Sequence, residues 1–203
     1  MKPITALFSL VFAASLAAAP KGQLTYETPA AAAKDPDFAI QGEYTGEGMD
    51  GEGKQSKLGL QIVALGEGTF QATAFDGGLP GAGWDGDTKW VYSGKRKGED
   101  KASFASDQSP ISLHYLRGKV IAAKGDQKVG AFEKVTRKSP TLGAKAPKGA
   151  KVLFGGKDNG TLDQLKITDD GLMKEGAITK DKFQSFKLHV EFRLPFKPTA
   201  RGQ

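Results

Sequence analysis

The sequence predicts an all-β protein in which a small antiparallel β domain precedes a second, shorter block of strands. Three observations support this class. The 203 residues include 27 Gly and 10 Pro and are only 38% apolar, which is typical of a turn-rich chain. Short segments rich in β-branched and aromatic residues recur between Gly, Pro and Asp turns. The longest of these segments alternate apolar and polar residues with period two.

The N-terminus resembles a secretory signal peptide. Met1 and Lys2 form a short positive region, residues 4–16 are mostly apolar, and residues 17–19 are all Ala. The apolar stretch is too short to span a membrane comfortably. We therefore assign residues 1–19 to the signal peptide and expect an exported protein, periplasmic or extracellular. Residues 20–37 are rich in Ala, Pro and Lys, and we expect them to be disordered.

Residues 38–136 are predicted to form the small antiparallel β domain. Within one segment Leu58, Leu60 and Ile62 share a face. The spacing of the segments is that of a meander of about 100 residues. The predicted strands are FAIQGEY, LGLQIVAL, TFQATAF, TKWVYSG, ISLHYL, KVIAAK and VGAFEKV.

Residues 137–150 are predicted to be a basic linker containing Pro and Gly. Much of the net charge of +6 lies between Lys134 and Lys151. Basic segments that bind nucleic acid usually carry interleaved aromatic residues, and this one has none. We therefore expect a solvated linker and no nucleic-acid partner.

Residues 151–203 are predicted to form the second block, with strands in KVLFGG, DQLKIT, GLMKEGAIT and QSFKLHVEFRLP. Asp169, Asp170 and Gly171 suit a hairpin turn. The last strand alternates strongly over residues 186–194, and its apolar face would need a covering layer. We expect this block to be the incomplete N-terminal part of a sandwich. We therefore expect the 203 residues to be aggregation-prone and to have little or no activity alone. The apolar face of the last strand comprises Phe186, Leu188, Val190, Phe192 and Leu194.

The opposite face of that strand carries the best candidate site. His189, Glu191 and Arg193 would project side by side, about 6–7 Å apart per step, and could bind or process a polar ligand. The alternative is a solvent-exposed face of alternating charge. A second candidate is Trp84, at the end of the Gly-rich segment 77–86. It could stack on a sugar, or it could plug a core beside a turn.

Three other motifs do not predict a site. GEGMDG resembles a dinucleotide fingerprint, and GMDGEGKQ resembles a phosphate-binding loop. Both motifs bind phosphate groups only when a helix follows the loop, whereas a strand is predicted to follow here. We therefore predict a Gly-rich hairpin loop and no nucleotide cofactor. The third motif is a set of carboxylates in Gly-rich turns, which lack the spacing of an EF-hand and are better explained as turn formers. They are Asp50, Glu52, Asp85 and Asp87. With no Cys and only two His, the chain offers no disulfide framework and little material for a classical zinc site.

Three pieces of the second block resemble the 3-keto-disaccharide hydrolase family, formerly a domain of unknown function. They are LFGGK at 153–157, FQSFKLHVEFR at 183–193 and ARGQ at 200–203. The residues before them resemble the small β domain that precedes this module in exported proteins. Gly155 departs from the family, which usually has Asp there. The family's following GRGNSGVY is absent, so we expect a C-terminally truncated member.

The resemblance implies a concanavalin-like jelly roll and cleavage of glycosides oxidised at C3. It implies that Glu191 and His189 are catalytic and that Arg193 and Arg201 bind substrate; Trp84 is a further substrate-binding candidate. The cofactor is undetermined, with a divalent metal as one option. The alternative function is a non-catalytic carbohydrate-binding or adhesion module, because jelly rolls serve both roles. The front domain could also be a structural spacer.

Overall fold

A computed structural model describes residues 24–49 and 53–200, and these form an all-β protein as predicted. The chain divides into two compact units. The first comprises the described residues up to Thr136 together with those from Leu194, and the second is Arg137–Arg193. The helices are α1 (Pro29–Ala32) and α2 (Pro36–Ile40); the strands are β1 (Gly42–Met49), β2 (Gln55–Gly66), β3 (Thr69–Asp76), β4 (Lys89–Arg96), β5 (Lys101–Ser106), β6 (Ser109–Leu116), β7 (Lys119–Lys124), β8 (Gln127–Val135), β9 (Leu162–Asp163) and β10 (Ile178–Thr179).

The first unit is a closed, eight-stranded antiparallel barrel. Each of β1 to β7 pairs with the next strand in sequence, and β8 returns to pair with β1. Tyr44 lies opposite Leu60 on one side of β1, and Thr45 lies opposite Glu133 on the other. Closure gives every strand two hydrogen-bonded neighbours, which protects the backbone edges that an open meander would expose. The antiparallel β domain is thus confirmed, and it is a barrel.

Period-two alternation fills the barrel interior. Leu58, Leu60 and Ile62 are all buried, as the sequence predicted. The Phe104 ring packs directly over Gly94 of β4. A Cβ at Gly94 would lie 2.2 Å from that ring, so this position requires glycine. The interior side chains further include Tyr44, Phe70, Ala72, Tyr92, Ala102, Leu113, Tyr115, Val120 and Phe132.

Strand β5 was not among the predicted strands. Its sequence, KASFAS, contains one aromatic residue, and Ala and Ser give little strand signal. Ala102 and Phe104 nevertheless point inward and are buried. The strand is specified by its pairing with β4 and β6, which a local reading of the sequence does not capture.

One end of the barrel is closed by α2, which corrects the predicted strand at FAIQGEY. Asp35 caps the helix by accepting from the Asp37 N–H at 2.9 Å, and Pro36 occupies the first turn. Both are helix-start signals. The carbonyl of Ile40 accepts from the Tyr44 hydroxyl at 2.5 Å. Residues 36–40 are therefore helical, and the strand begins only at Gly42.

Residues 24–37, which we expected to be disordered, are held against the barrel. Tyr26 and Phe196 exchange two backbone hydrogen bonds of 2.9 and 3.0 Å, and their rings stack at 5.7 Å. The Phe196 ring also contacts Phe38 at 5.1 Å. This contact could not be predicted from local sequence, because Tyr26 and its partner Phe196 are 170 residues apart. Residues 1–23, with the predicted signal peptide, lie outside the described residues.

The second unit has little regular structure. Its strands are β9 and β10, each two residues long. The predicted turn at Asp169–Gly171 is confirmed, since the Thr168 N–H donates to the Leu172 carbonyl at 2.8 Å and Gly171 has φ +81°. The predicted strand at residues 186–194 is wrong for this structure, because those residues belong to no strand. The described structure offers them no neighbouring strand to pair with, and a strand is defined by such pairing. The jelly roll is not confirmed.

Candidate functional site

His189 and Glu191 form a hydrogen-bonded pair in the second unit. His189 Nε2 lies 3.1 Å from Glu191 Oε1, and the same oxygen accepts the backbone N–H of Gly143. The contact with His189, followed by that with Gly143, lowers the pKa of Glu191 below its usual range. Glu191 is therefore ionised at neutral pH and accepts a hydrogen bond from the His189 Nε2–H. In the neutral imidazole, Nδ1 then carries the lone pair.

Arg193 is directed to another partner. Its Nη1 donates to Asp170 Oδ2 at 2.5 Å. Asp170 also accepts the Thr168 hydroxyl at 2.6 Å, and these two contacts lower the pKa of Asp170, the one with Arg193 contributing most. The structure thus brings together His189 and Glu191 but assigns Arg193 to the Asp169–Gly171 turn. The three side chains do not form the row that an extended strand would have produced.

Trp84 is placed by its own loop and the outer barrel wall. Its indole N–H donates to the Thr88 carbonyl at 3.0 Å, and its ring packs edge-on against Phe75 at 5.0 Å. The loop packs closely on β2, because a Cβ at Gly59 would lie 2.5 Å from the backbone of Gly78 and Leu79. Trp84 is half-buried in this arrangement, which is the plug-like placement considered as the alternative to a sugar platform.

Arg201, the remaining predicted substrate-binding residue, lies outside the described residues. Gly143 and Asp170 are contacts that the sequence analysis did not propose. Gly143 contributes a backbone N–H, and because every residue except Pro has one, no residue type in the sequence marks it as a contact. Asp170 was recognised only as a turn residue.

Among the described residues, no group of three or more His, Cys, Asp or Glu side chains is arranged to hold a metal ion. In the described part of the chain, none of the helices has the length and apolar character needed to cross a membrane.

Comparisons with known proteins identify no relatives. No protein family, no curated protein and no solved structure matches the chain.

Proposed function

We propose that the protein is a glycoside-cleaving hydrolase acting on 3-keto-glycosides, with His189 and Glu191 as its proton-transfer pair. The observation that carries the proposal is the 3.1 Å contact between these two side chains, within the segment whose sequence resembles the hydrolase family. A histidine held by an ionised carboxylate is a recurrent arrangement for a general base.

The pair suggests a division of roles. The low pKa of Glu191 makes it a weak base, so it is better suited to orient His189 and to stabilise the imidazolium that forms. His189 then presents Nδ1 to the substrate. Glu191 was predicted as the leading catalytic residue; we now propose it as the residue that positions His189, and His189 as the base.

The proposed reaction begins at the ketone. A C3 carbonyl acidifies the C2 hydrogen, which His189 removes as a proton while the C2–H electron pair forms an enolate. The enolate expels the C1 oxygen substituent, which takes the proton from the imidazolium. Water then adds at C1 across the new C1=C2 bond, with its proton going to C2, and hydrolysis is complete. A guanidinium supplies the cation for the enolate oxygen. Arg201 is the leading candidate for it, because Arg193 is already paired with Asp170.

The fold that accompanies this proposal is the concanavalin-like jelly roll, with residues 151–203 supplying its first strands. Its support is the sequence alternation of residues 186–194 and the large exposed fractions of their apolar side chains, from 56% to 78%. An apolar face of that size needs a covering layer.

Because the 203 residues are expected to have little or no activity alone, the test uses a full-length version. It compares 4-nitrophenyl 3-keto-β-glucoside with unoxidised 4-nitrophenyl β-glucoside. We expect nitrophenolate release from the ketone alone, and a drop of about 10²- to 10⁴-fold in His189→Gln. The matched control is His114→Gln, the other histidine of the chain, which is exposed on β6 beside Ser112 and should leave the rate unchanged. Equal activity of the His189 variant would remove that residue from the site.

The same assay distinguishes the hydrolase from the alternative, a non-catalytic carbohydrate-binding module. A non-catalytic carbohydrate-binding module would bind the sugar without releasing nitrophenolate, a result that isothermal titration calorimetry would detect. If the full protein neither bound the sugar nor released nitrophenolate, both functions would be contradicted.

A further inference from the structure

The barrel opens at the end opposite α2. There β1, β3, β5 and β7 finish and β2, β4, β6 and β8 begin. A cavity of about 280 Å³ lies in this mouth. Because α2 and the segment around Phe196 cover the other end, the mouth is the open route into the barrel interior within the described residues.

The cavity walls are mainly apolar. Trp90, Met49 and Ile111 line it and are half-buried against the barrel core. Tyr92 and Leu113 form deeper parts of the wall and are almost fully buried. Mostly apolar concave sites with a few polar groups are the usual form of a small-molecule site, and an eight-stranded barrel has room for one small ligand.

Polar groups meet on one side of this mouth. The Tyr92 hydroxyl lies 3.3 Å from Ser109 Oγ inside the lining. Gln108 and Lys124 also line the cavity, and Lys124 lies opposite Ile111 in the register of β6 and β7. A ligand would therefore find an apolar slot for a ring and, beside it, the Ser109 hydroxyl as a donor and one cation, since the Tyr92 hydroxyl donates to Ser109.

We propose that the barrel mouth binds a small single-ring aromatic carboxylate. The ring lies against Trp90 and Ile111, where flat aromatic contact is favourable, and the carboxylate faces Ser109 and Lys124. The volume lies just below the usual range for small-molecule sites, about 300–1,000 Å³, which favours one ring over an extended lipid. A sugar is a poorer match, because its hydroxyls would face apolar walls without hydrogen-bond partners.

The proposal does not depend on the hydrolase chemistry, since it uses residues of the barrel alone. It can be tested on the full chain by ¹H–¹⁵N NMR with benzoate as the anionic probe, benzyl alcohol as the neutral probe and glucose as the sugar. The chain contains two Trp, so Trp84, held against Phe75 on the outer wall, is an internal control. We expect saturable shifts of the Trp90 indole and the Ser109 amide with benzoate, weaker binding of benzyl alcohol, and an unchanged Trp84 indole.

Two variants locate the ligand within the mouth. Lys124→Gln should weaken benzoate binding about two- to fivefold, the range of an exposed ion pair, and leave benzyl alcohol unaffected. Lys101→Gln, at the opposite end of the barrel, removes the same charge and should change neither affinity. Ala74→Leu, which adds three carbons to the cavity wall, should abolish binding of both aromatic probes.

Three results would overturn the proposal. The first is no saturable Trp90 shift with benzoate in the wild-type chain, which needs no variant to fold. The second is glucose shifting the Trp90 indole at lower concentration than benzoate. The third is Ala74→Leu binding benzoate as tightly as wild type. A loss of benzoate affinity in Lys101→Gln equal to that in Lys124→Gln would remove Lys124 from the site.

Discussion

The two units of this chain use similar sequence patterns and reach different structures. Strand β2 of the barrel alternates Leu58, Leu60 and Ile62, and all three are buried. Residues 186–194 alternate as regularly, yet they form no strand in the described structure, and Phe192 is 76% exposed. The two patterns have the same period and comparable hydrophobicity, so local sequence does not explain the difference.

The difference teaches that alternation specifies which face of a strand is buried and leaves open whether a strand forms. In the barrel, β2 pairs with both β1 and β3, and these ladders fix its backbone. Residues 186–194 have no such ladder within the described structure. Strand formation is a non-local event, because its hydrogen bonds and covering layer come from other segments.

The largest expected contrast is in amide hydrogen exchange. Amides of β2 and β3 should be protected by three or more orders of magnitude, since their opening requires most of a global stability of about 5–15 kcal/mol. Amides of residues 187–193 should exchange at nearly unprotected rates. Mass spectrometry of peptides from the two regions measures this directly. Comparable protection in both regions would show that residues 187–193 are paired in solution.

Truncating a phenylalanine in each unit should give unequal losses of stability. Phe104 is 2% exposed inside the barrel, and Phe104→Ala should lower the free energy of unfolding by about 3–5 kcal/mol. Phe192→Ala is the matched control in the second unit and should stay within about 0.5 kcal/mol. Urea unfolding followed by tryptophan fluorescence reports on the barrel, which holds both Trp residues. Similar losses would mean that Phe192 is buried in solution.

A smaller effect is expected at the covered end of the barrel. Asp37 is 2% exposed and accepts from the Gly68 N–H at 2.9 Å and from Arg96 Nε at 2.8 Å. Asp37→Ala leaves both donors without their carboxylate and should cost about 2–3 kcal/mol, measured by urea unfolding. The control is Asp100→Ala, whose ion pair with Arg117 is exposed and should contribute about 0–1 kcal/mol. If Asp37→Ala and Asp100→Ala lowered the free energy of unfolding equally, the Asp37 contacts would contribute no more than an exposed ion pair. Apolar contacts alone would then hold α2 against the end of the barrel.

Much of the barrel could be predicted from the sequence, because its signals are local. Segments bounded by Gly turns identified six of the eight strands and overlapped the first three residues of β1, and the inward face of β2 was correct. Closure could not be predicted, since the pairing of β1 with β8 joins residues about 90 positions apart. The capping signals of α2, Asp35 and Pro36, were present in the sequence and were overlooked in favour of the apolar residues after them.

The candidate site was less accessible to sequence reasoning. A row of His189, Glu191 and Arg193 was inferred from an extended backbone, and only the first two meet. Arg193 contacts Asp170 because the backbone of the second unit brings the turn close to it, a relation that spacing along one segment does not contain. The barrel mouth was missed for a similar reason, since its lining residues come from most of the eight strands.

The smallest effect concerns the charge of Glu191. Its pKa is lowered, chiefly by His189 and then by the Gly143 N–H. The contact with His189 should therefore persist as pH falls below the ordinary glutamate value of 4.5 and be lost only as pH passes through the lowered pKa. Titration of the Glu191 side-chain carboxyl by ¹³C NMR measures the midpoint.

His189→Gln should move that midpoint upward, because the largest cause of the shift is removed. His114→Gln should leave it unchanged and serves as the control for losing a histidine elsewhere. A midpoint at or above 4.5 in the wild-type chain would show that the pair does not form in solution. The proposed role of Glu191 in orienting His189 would then lose its basis, whereas the barrel and its mouth would be unaffected.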